Sequence, residues 1–204
     1  LILDAGKKPS FCFIRRLLND TDELMNWVPF AKEASLKSDL LSYLDLSDEK
    51  RAENISGIDA QMAPFTNGEL APLFNSDQSA FTLIESLEKN QIVYFQLPTM
   101  LSQFLGEKMG RMVLQCLQSA VAGRQVGLNP KDKNGFFGCY LDDFQDYIYD
   151  GFGSLLNKSR SANISMTFAH QAMGDLEKVS PAFKNIVFTN TNIKAVMRCN
   201  DPDT

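Results

Sequence analysis

The first ninety residues carry apolar side chains at helical spacing, separated by residues that start or end helices. Leu36, Leu40 and Leu44 recur four residues apart, and Ser47 stands before Asp48 as a helix N-cap does. The pattern predicts a short apolar-rich turn region over 11–18 and a helix that Thr21 caps and that runs through Val28. Further helices are predicted over 35–43, from Ser47 to Phe65 along the apolar stripe Ile55, Ile58, Met62 and Phe65, and over 78–89. We therefore predict that residues 11–90 form an all-helical domain.

After Asn90, short apolar runs alternate with longer helical segments. The predicted strands are 92–97, 136–141, 164–169, 186–188 and 193–199; the predicted helices are 98–123, 144–157 and a short one ending near 179, and 127–135 is a polar loop. This alternation is typical of a parallel sheet with helices on both faces. We therefore predict an α/β fold, with a partial doubly wound parallel sheet over residues 91–204.

One predicted strand ends in two adjacent carboxylates, because Asp142 and Asp143 follow directly after the apolar run 136–141. Divalent cations take oxygen ligands and bind beside the phosphates whose charge they neutralise. An acid pair at the end of a buried strand therefore indicates a Walker B element, which binds Mg²⁺ with a nucleotide. The alternative is that Asp143 only caps the helix that follows it.

A second polar pair, His170 and Gln171, ends the next predicted strand. Ligands collect at the carboxyl ends of parallel strands, so both pairs are expected at one edge of the sheet. This is the layout of an NTPase, in which one carboxylate holds Mg²⁺, a second activates water, and a polar residue on the neighbouring strand senses the γ-phosphate. His170, the sole histidine, is interpreted as a structural, hydrogen-bonded residue.

Three further charged residues near the acid pair each have two interpretations. The spacing of Asp143, Asp146 and Asp150 places them on one helix face, which is either a solvated face or, with Asp142, the acid cluster of a metal-dependent phosphoesterase. Arg160 follows the same helix. There it either complements the helix dipole or reaches the γ-phosphate bound by a neighbouring subunit.

Composition narrows the class of protein. The four cysteines, Cys12, Cys116, Cys139 and Cys199, form no C-x-x-C pair, so we expect buried, reduced thiols in a cytosolic compartment and no zinc site. Residues 1–90 hold 9 Lys/Arg against 15 Asp/Glu, whereas residues 91–204 hold 11 against 10. The acidic first part is expected to bind basic proteins rather than nucleic acid, unless its charge serves only solubility.

Several features are absent from the sequence. It contains no G-x-x-x-x-G-K-[ST] motif, whose main chain and lysine bind the β- and γ-phosphates, so this chain alone is expected to bind ATP poorly. It begins Leu1-Ile2-Leu3 without Met, and both ends are expected to be cuts through a longer protein. It shows neither an apolar run as long as the ~18 residues of a membrane span nor a signal peptide.

The ordered motifs resemble the TraG/TraD-type coupling ATPases of conjugation and type IV secretion, relatives of FtsK-like DNA pumps. The resemblance is carried by segments 138–144, 158–164, 168–171, 186–198 and 200–204, with 54–58 and 64–74 similar to the family's all-alpha domain. It implies a RecA-like NTPase domain. Residues 1–10 would end an upstream motor segment, 11–90 would be the substrate-receiving all-alpha domain, and 91–204 the Walker B half.

The resemblance also implies the roles of four catalytic residues. Asp142 matches the Mg²⁺-linked Walker B acid, and Gln171 matches the sensor glutamine, so both would contact the bound nucleotide. Asp143 stands where the family usually has Glu, whose side chain is one methylene longer. Arg160 matches a proposed arginine finger that acts on the neighbouring subunit.

The implied protein is a hexameric ATPase at the cytoplasmic face of the bacterial inner membrane, using ATP and Mg²⁺, with its Walker A loop and membrane anchor upstream of Leu1. Its implied partners are relaxase–DNA complexes or effector proteins, received by the helical domain, and DNA in the motor channel. The alternative from the residues alone is a non-enzymatic docking module, in which the acidic helical part binds a protein partner and the α/β part is a scaffold.

Overall fold

The computed structural model describes residues 1–69, 71–76, 78–97, 99–100, 102–126, 135–149 and 151–197. Predictions about Asp150, the loop from 127 to 134 and the segment from 198 to 204 lie outside these residues. The chain divides into two compact units, Leu1–Ala80 and Phe81–Thr204. This division comes before the predicted boundary at residue 90, because the last predicted helix of the first part packs against a long helix of the second unit.

The first unit is helical, as the spacing of its apolar residues predicts. Its helices are α1 (Phe11–Asn19), α2 (Thr21–Trp27), α3 (Ala34–Leu44), α4 (Asp48–Thr66) and α5 (Ala71–Phe74). Ser47 caps α4 by accepting a hydrogen bond from the Lys50 amide, as predicted. The cap of α2 is Asp20 rather than Thr21, because the Asp20 carboxylate accepts from the Glu23 amide.

Helices α1 and α4 hold this unit together through an aromatic cluster and a polar network. The ring of Phe65 stacks on Phe11 at 4.8 Å and meets Phe74 edge-on at 4.9 Å. Arg15 Nε and Nη2 donate to the two carboxylate oxygens of Asp59 at 2.8 and 2.9 Å. Ile58 was expected on the apolar stripe but is 51% exposed.

The second unit is α-rich with a two-stranded parallel sheet. Its elements are α6 (Leu83–Glu88), α7 (Gln103–Gln125), β1 (Phe137–Leu141), α8 (Phe152–Ser159), β2 (Ile164–Phe168), α9 (Met173–Glu177) and α10 (Pro181–Asn190). The register runs from Phe137 opposite Ile164 to Leu141 opposite Phe168. The connection from β1 to β2 includes α8, as a parallel crossover requires. The core lies around α7 and α8, where Phe144, Phe152 and Leu155 are fully buried.

The described residues confirm an α/β arrangement in this coarse sense but do not form a doubly wound sheet. Residues 92–97 form no strand, and Ile92 is wholly exposed. Residues 186–188 lie in α10, because Ser180 caps that helix and Pro181 opens it. Residues 193–197 form no strand either.

The predicted helix 144–157 is also divided differently. Its first residues form a short 3-10 turn, Phe144–Asp146, and α8 begins only at Phe152.

The thiols differ from expectation as well: Cys12 and Cys116 are exposed, and Cys139 is half-buried. Cys116 lies on the outer face of α7, next to the buried Leu117. Among the described residues, no helix is both long and apolar enough to cross a lipid bilayer.

Candidate functional site

The carboxyl ends of β1 and β2 lie side by side because the two strands are parallel and in register. The ladder continues one step past the strands: the Ala169 amide donates to the Leu141 carbonyl, and the Phe144 amide donates to the Ala169 carbonyl, both at 2.9 Å. These bonds join the loop carrying Asp142 and Asp143 to the loop carrying Gln171.

Three of the four predicted catalytic residues lie at this edge, which we call the carboxyl edge: Asp142, Asp143 and Gln171. All three are exposed. Gln171 Nε2 donates to Asp143 Oδ1 at 3.4 Å, and Gln145 Nε2 donates to the same oxygen at 3.3 Å. Both bonds are long, so these amides contact the carboxylate without holding it tightly.

Asp143 has a left-handed backbone, with φ 44° and ψ 46°. Asp and Asn adopt this conformation more readily than other residues that carry a side chain. Asp143 precedes the 3-10 turn as a cap would, yet its side chain makes no capping hydrogen bond. The capping interpretation therefore has no support in the geometry, and the carboxylate points to other contacts.

Tyr147 is a part of this edge that the sequence reasoning missed. Its hydroxyl donates to the main-chain carbonyl of Asp142. Burial, with the neighbouring carboxylates, raises the pKa of Tyr147 to about 12, so the phenol stays a donor. Gly110 of α7 makes room for it, since a Cβ at Gly110 would lie 2.8 Å from Tyr147 Cβ. Tyr147 therefore packs against α7 and, through its hydroxyl, contacts the backbone of the acid pair.

Negative charge accumulates beside the acid pair. The pKa of Asp146 is raised, first by burial and then by the charges of Asp143, Glu107 and Asp175. A raised carboxyl pKa means that the surroundings disfavour a further negative charge. A cation bound nearby would reduce the part of this effect that comes from the neighbouring carboxylates.

A cleft of about 1030 Å³ opens onto these acids. Its walls come from the extended segment 91–97, from α7 and from β1, and Asp142, Asp143 and Asp146 lie along its lining. Apolar walls with a few polar groups are typical of small-molecule sites. The sequence analysis did not anticipate this cleft, because it placed residues 92–97 in a strand of the sheet.

Arg160 does not join the other three residues. It precedes β2, whereas Gln171 follows it, so the length of the strand separates them by roughly 16 Å at 3.3 Å per residue. Its side chain is exposed and makes no ion pair or hydrogen bond within the described ranges. His170 has the structural role expected of it, with Nδ1 3.2 Å from the Ala172 carbonyl oxygen.

The acids fit a shared Mg²⁺ better than a dedicated metal cage. In the part of the chain that the structure describes, no three or more His, Cys, Asp or Glu side chains come together as metal ligands. Mg²⁺ on a nucleotide needs only one or two carboxylates, because phosphates and water complete its shell. The exposed Asp142 carboxylate, which accepts from the Asp143 amide at 3.0 Å, suits that role.

Comparisons of the chain with protein-family models, with curated proteins and with solved structures found no match. The resemblance to coupling ATPases is thus carried by the sequence motifs alone.

Proposed function

We propose that this chain is part of a coupling ATPase of the TraG/TraD type, which uses ATP hydrolysis to deliver relaxase–DNA complexes or effector proteins into a secretion or conjugation channel. The observation that carries the proposal is the contact between Asp143 Oδ1 and Gln171 Nε2, two residues 28 positions apart. The proposed motor would use an acid pair for Mg²⁺ and water, and a polar residue on the neighbouring strand beside the γ-phosphate.

Each residue of the carboxyl edge has a role in this proposal. Asp142 would hold Mg²⁺ through water, and the ion would supply positive charge next to the phosphates. Asp143 orients the attacking water and takes its proton. Gln171 donates to Asp143 or to the γ-phosphate side of the site. Arg160, at the opposite end of β2, acts on the nucleotide of a neighbouring subunit.

The first test is the coding sequence that precedes Leu1. A G-x-x-x-x-G-K-[ST] loop after an apolar strand, preceded by membrane spans, is the expected result, since the proposed motor needs a phosphate cradle. A protein without such a loop would contradict the ATPase proposal.

The second test is ATP turnover by the full-length protein that contains this chain. Asp142→Asn keeps the size of the side chain and removes the charge, so we expect turnover to fall by about 10³-fold, or about 4 kcal/mol. Asp39→Asn removes an exposed acid of α3 and should leave turnover unchanged. Equal turnover in the two variants would refute the role of Asp142.

The distribution of charge favours a second function, docking of basic proteins. The first unit holds 8 Lys/Arg and 13 Asp/Glu, whereas the second holds 12 of each. Attraction between exposed charges weakens as salt rises. The full-length protein should therefore bind a lysine-rich protein segment at low salt and release it at high salt, and salt-independent binding would count against this function.

A further inference from the structure

Arg160 lies in a 3-10 turn, Arg160–Ala162, and the last residues of α7 hold this turn through hydrogen bonds. Arg124 Nη1 donates to the Ala162 carbonyl at 2.9 Å. Gln125 Nε2 donates to the Lys158 carbonyl at 3.2 Å and to Ser161 Oγ at 2.5 Å. These bonds lie on both sides of Arg160, so the end of one helix fixes the main chain before and after it.

Arg124 makes these contacts from a buried position. It is 2% exposed, and its second hydrogen bond, from Nη2, goes to the Leu87 carbonyl at 3.3 Å. It forms no ion pair within the described ranges, and its Nε is without a partner there. Burial lowers its pKa, and the charge of Glu88 offsets this only in part. A buried guanidinium bound only to carbonyls is a poor choice for stability, because an apolar side chain of similar size would avoid its desolvation.

Two more contacts fix the turn without using the Arg160 side chain. Asn163 has a left-handed backbone, with φ 56°, and its amide donates to the Arg160 carbonyl at 3.2 Å. The Phe137 amide then donates to the Asn163 carbonyl at 3.0 Å, which connects the turn to β1. Hydrogen bonds therefore hold the main chain before and after Arg160, while its guanidinium is exposed.

We propose that Arg124 and Gln125 are positioning residues for Arg160. They set the direction in which the turn presents the guanidinium to a phosphate group bound by a neighbouring subunit. This inference rests on the proposed function, and it explains why a buried charge and a side-chain amide converge on a three-residue turn. Neither residue touches the reacting atoms.

Gln125→Ala is the primary variant, because Gln125 is only half-buried and its loss should leave the fold intact. In the full-length protein we expect a kcat for ATP about tenfold lower with an unchanged KM, since a misplaced group costs rate rather than binding. Gln115→Ala, at an exposed position of the same helix, is the matched control and should have no effect.

A double-mutant cycle separates positioning from a general structural role. Gln125→Ala should have no further effect on turnover in an Arg160→Ala protein, because the group that it positions is already gone. An equal fold-decrease in both backgrounds, or no decrease in either, would overturn the proposal. Arg124→Met provides the same comparison at the buried residue.

Hydrogen exchange distinguishes failure of the positioning proposal from failure of the proposed function. In the full-length protein, Gln125→Ala should raise amide exchange across residues 158–163 and leave the first unit unchanged. If exchange does not rise, the positioning proposal fails, whatever the turnover. If exchange rises but neither Asp142→Asn nor Arg160→Ala alters turnover, the ATPase proposal fails, and with it the catalytic purpose of the positioning.

Discussion

One arginine in each unit shows two opposite environments for a charged side chain. In the helical unit, Arg15 is bound to both carboxylate oxygens of Asp59 and also donates to Thr66 Oγ1 at 2.8 Å. In the second unit, Arg160 is exposed and forms no such bond in the described part of the chain. Charges that the fold pairs internally are expected to matter for stability, and charges that it leaves open are expected to matter for a ligand or a partner.

The strongest test of this comparison is to replace Arg160 and Arg15 in turn. Arg160→Ala should lower ATP turnover of the full-length protein by about 10³-fold, the size of an arginine-finger effect, with nucleotide binding and melting temperature unchanged. Arg15→Ala should lower the melting temperature and leave turnover per folded molecule unchanged. The measurements are steady-state turnover, nucleotide titration and thermal unfolding.

Mixed rings supply a control for Arg160. Because the arginine is proposed to act on a neighbouring site, Arg160→Ala subunits mixed with Asp142→Asn subunits should regain part of the lost turnover. Loss of nucleotide binding in Arg160→Ala alone would instead indicate that Arg160 is structural. It would contradict the proposed difference between Arg160 and Arg15.

We expect the next largest change in turnover from replacing the two glutamines that donate to Asp143. Gln171→Ala should reduce turnover by about 10²-fold, the effect of removing one donor from a charged site. Gln145→Ala removes a donor to the same oxygen but from within the acid loop, and should change turnover less than about threefold. Equal losses would mean that both amides only orient Asp143, and that Gln171 is no sensor.

The sequence anticipated local features better than the assembly of the sheet. Strands β1 and β2 and the polar residues after them follow from local composition, because a short apolar run ended by polar residues specifies a strand and its edge. The long helices and the Ser47 cap follow from spacing in the same way. Such signals lie within a few neighbouring residues.

What the sequence reasoning missed depends on one helix start that overrides local strand propensity and on contacts between distant residues. Residues 186–188 have β-branched and aromatic side chains, yet the cap at Ser180 and Pro181 extends a helix through them. The contact of Tyr147 with Asp142 requires the close approach that Gly110 allows. Arg124 donates to the Ala162 carbonyl across a separation of 38 residues, and no local sequence pattern predicts this hydrogen bond.

A smaller effect concerns the left-handed backbone of Asp143. With the carboxylate removed in both variants, Asp143→Gly should be more stable than Asp143→Ala by about 1 kcal/mol, because Gly adopts positive φ without a Cβ clash. Chemical denaturation measures the difference. At Asp146, whose φ is not positive, the same pair should reverse its order, and a Gly preference at both positions would show that backbone strain is not the cause.

The smallest effects are opposite responses of two carboxyl groups to acid. Hydrogen bonds from Arg15, then Asn19, lower the pKa of Asp59 from 3.8 to about 2, so the stability it contributes is present above about pH 4 and is lost as pH falls towards 2. Burial and neighbouring acids raise the pKa of Asp146. Its contribution is therefore greatest below pH 3.8 and is lost as pH rises through the folded-state pKa.

Carboxyl-detected NMR titration measures both groups, and unfolding at several pH values tests the linkage. Asp59→Asn should flatten the loss of stability of the helical unit between pH 4 and 2, since Asn keeps the shape and has no proton to bind. Asp146→Asn should instead remove the part of the second unit's stability that declines as pH rises above 3.8. If both carboxyls titrated below 3.8, the charge of Asp146 would be stabilised by its surroundings as that of Asp59 is. The difference between the internally paired charges of the helical unit and the unpaired charges of the carboxyl edge would then disappear.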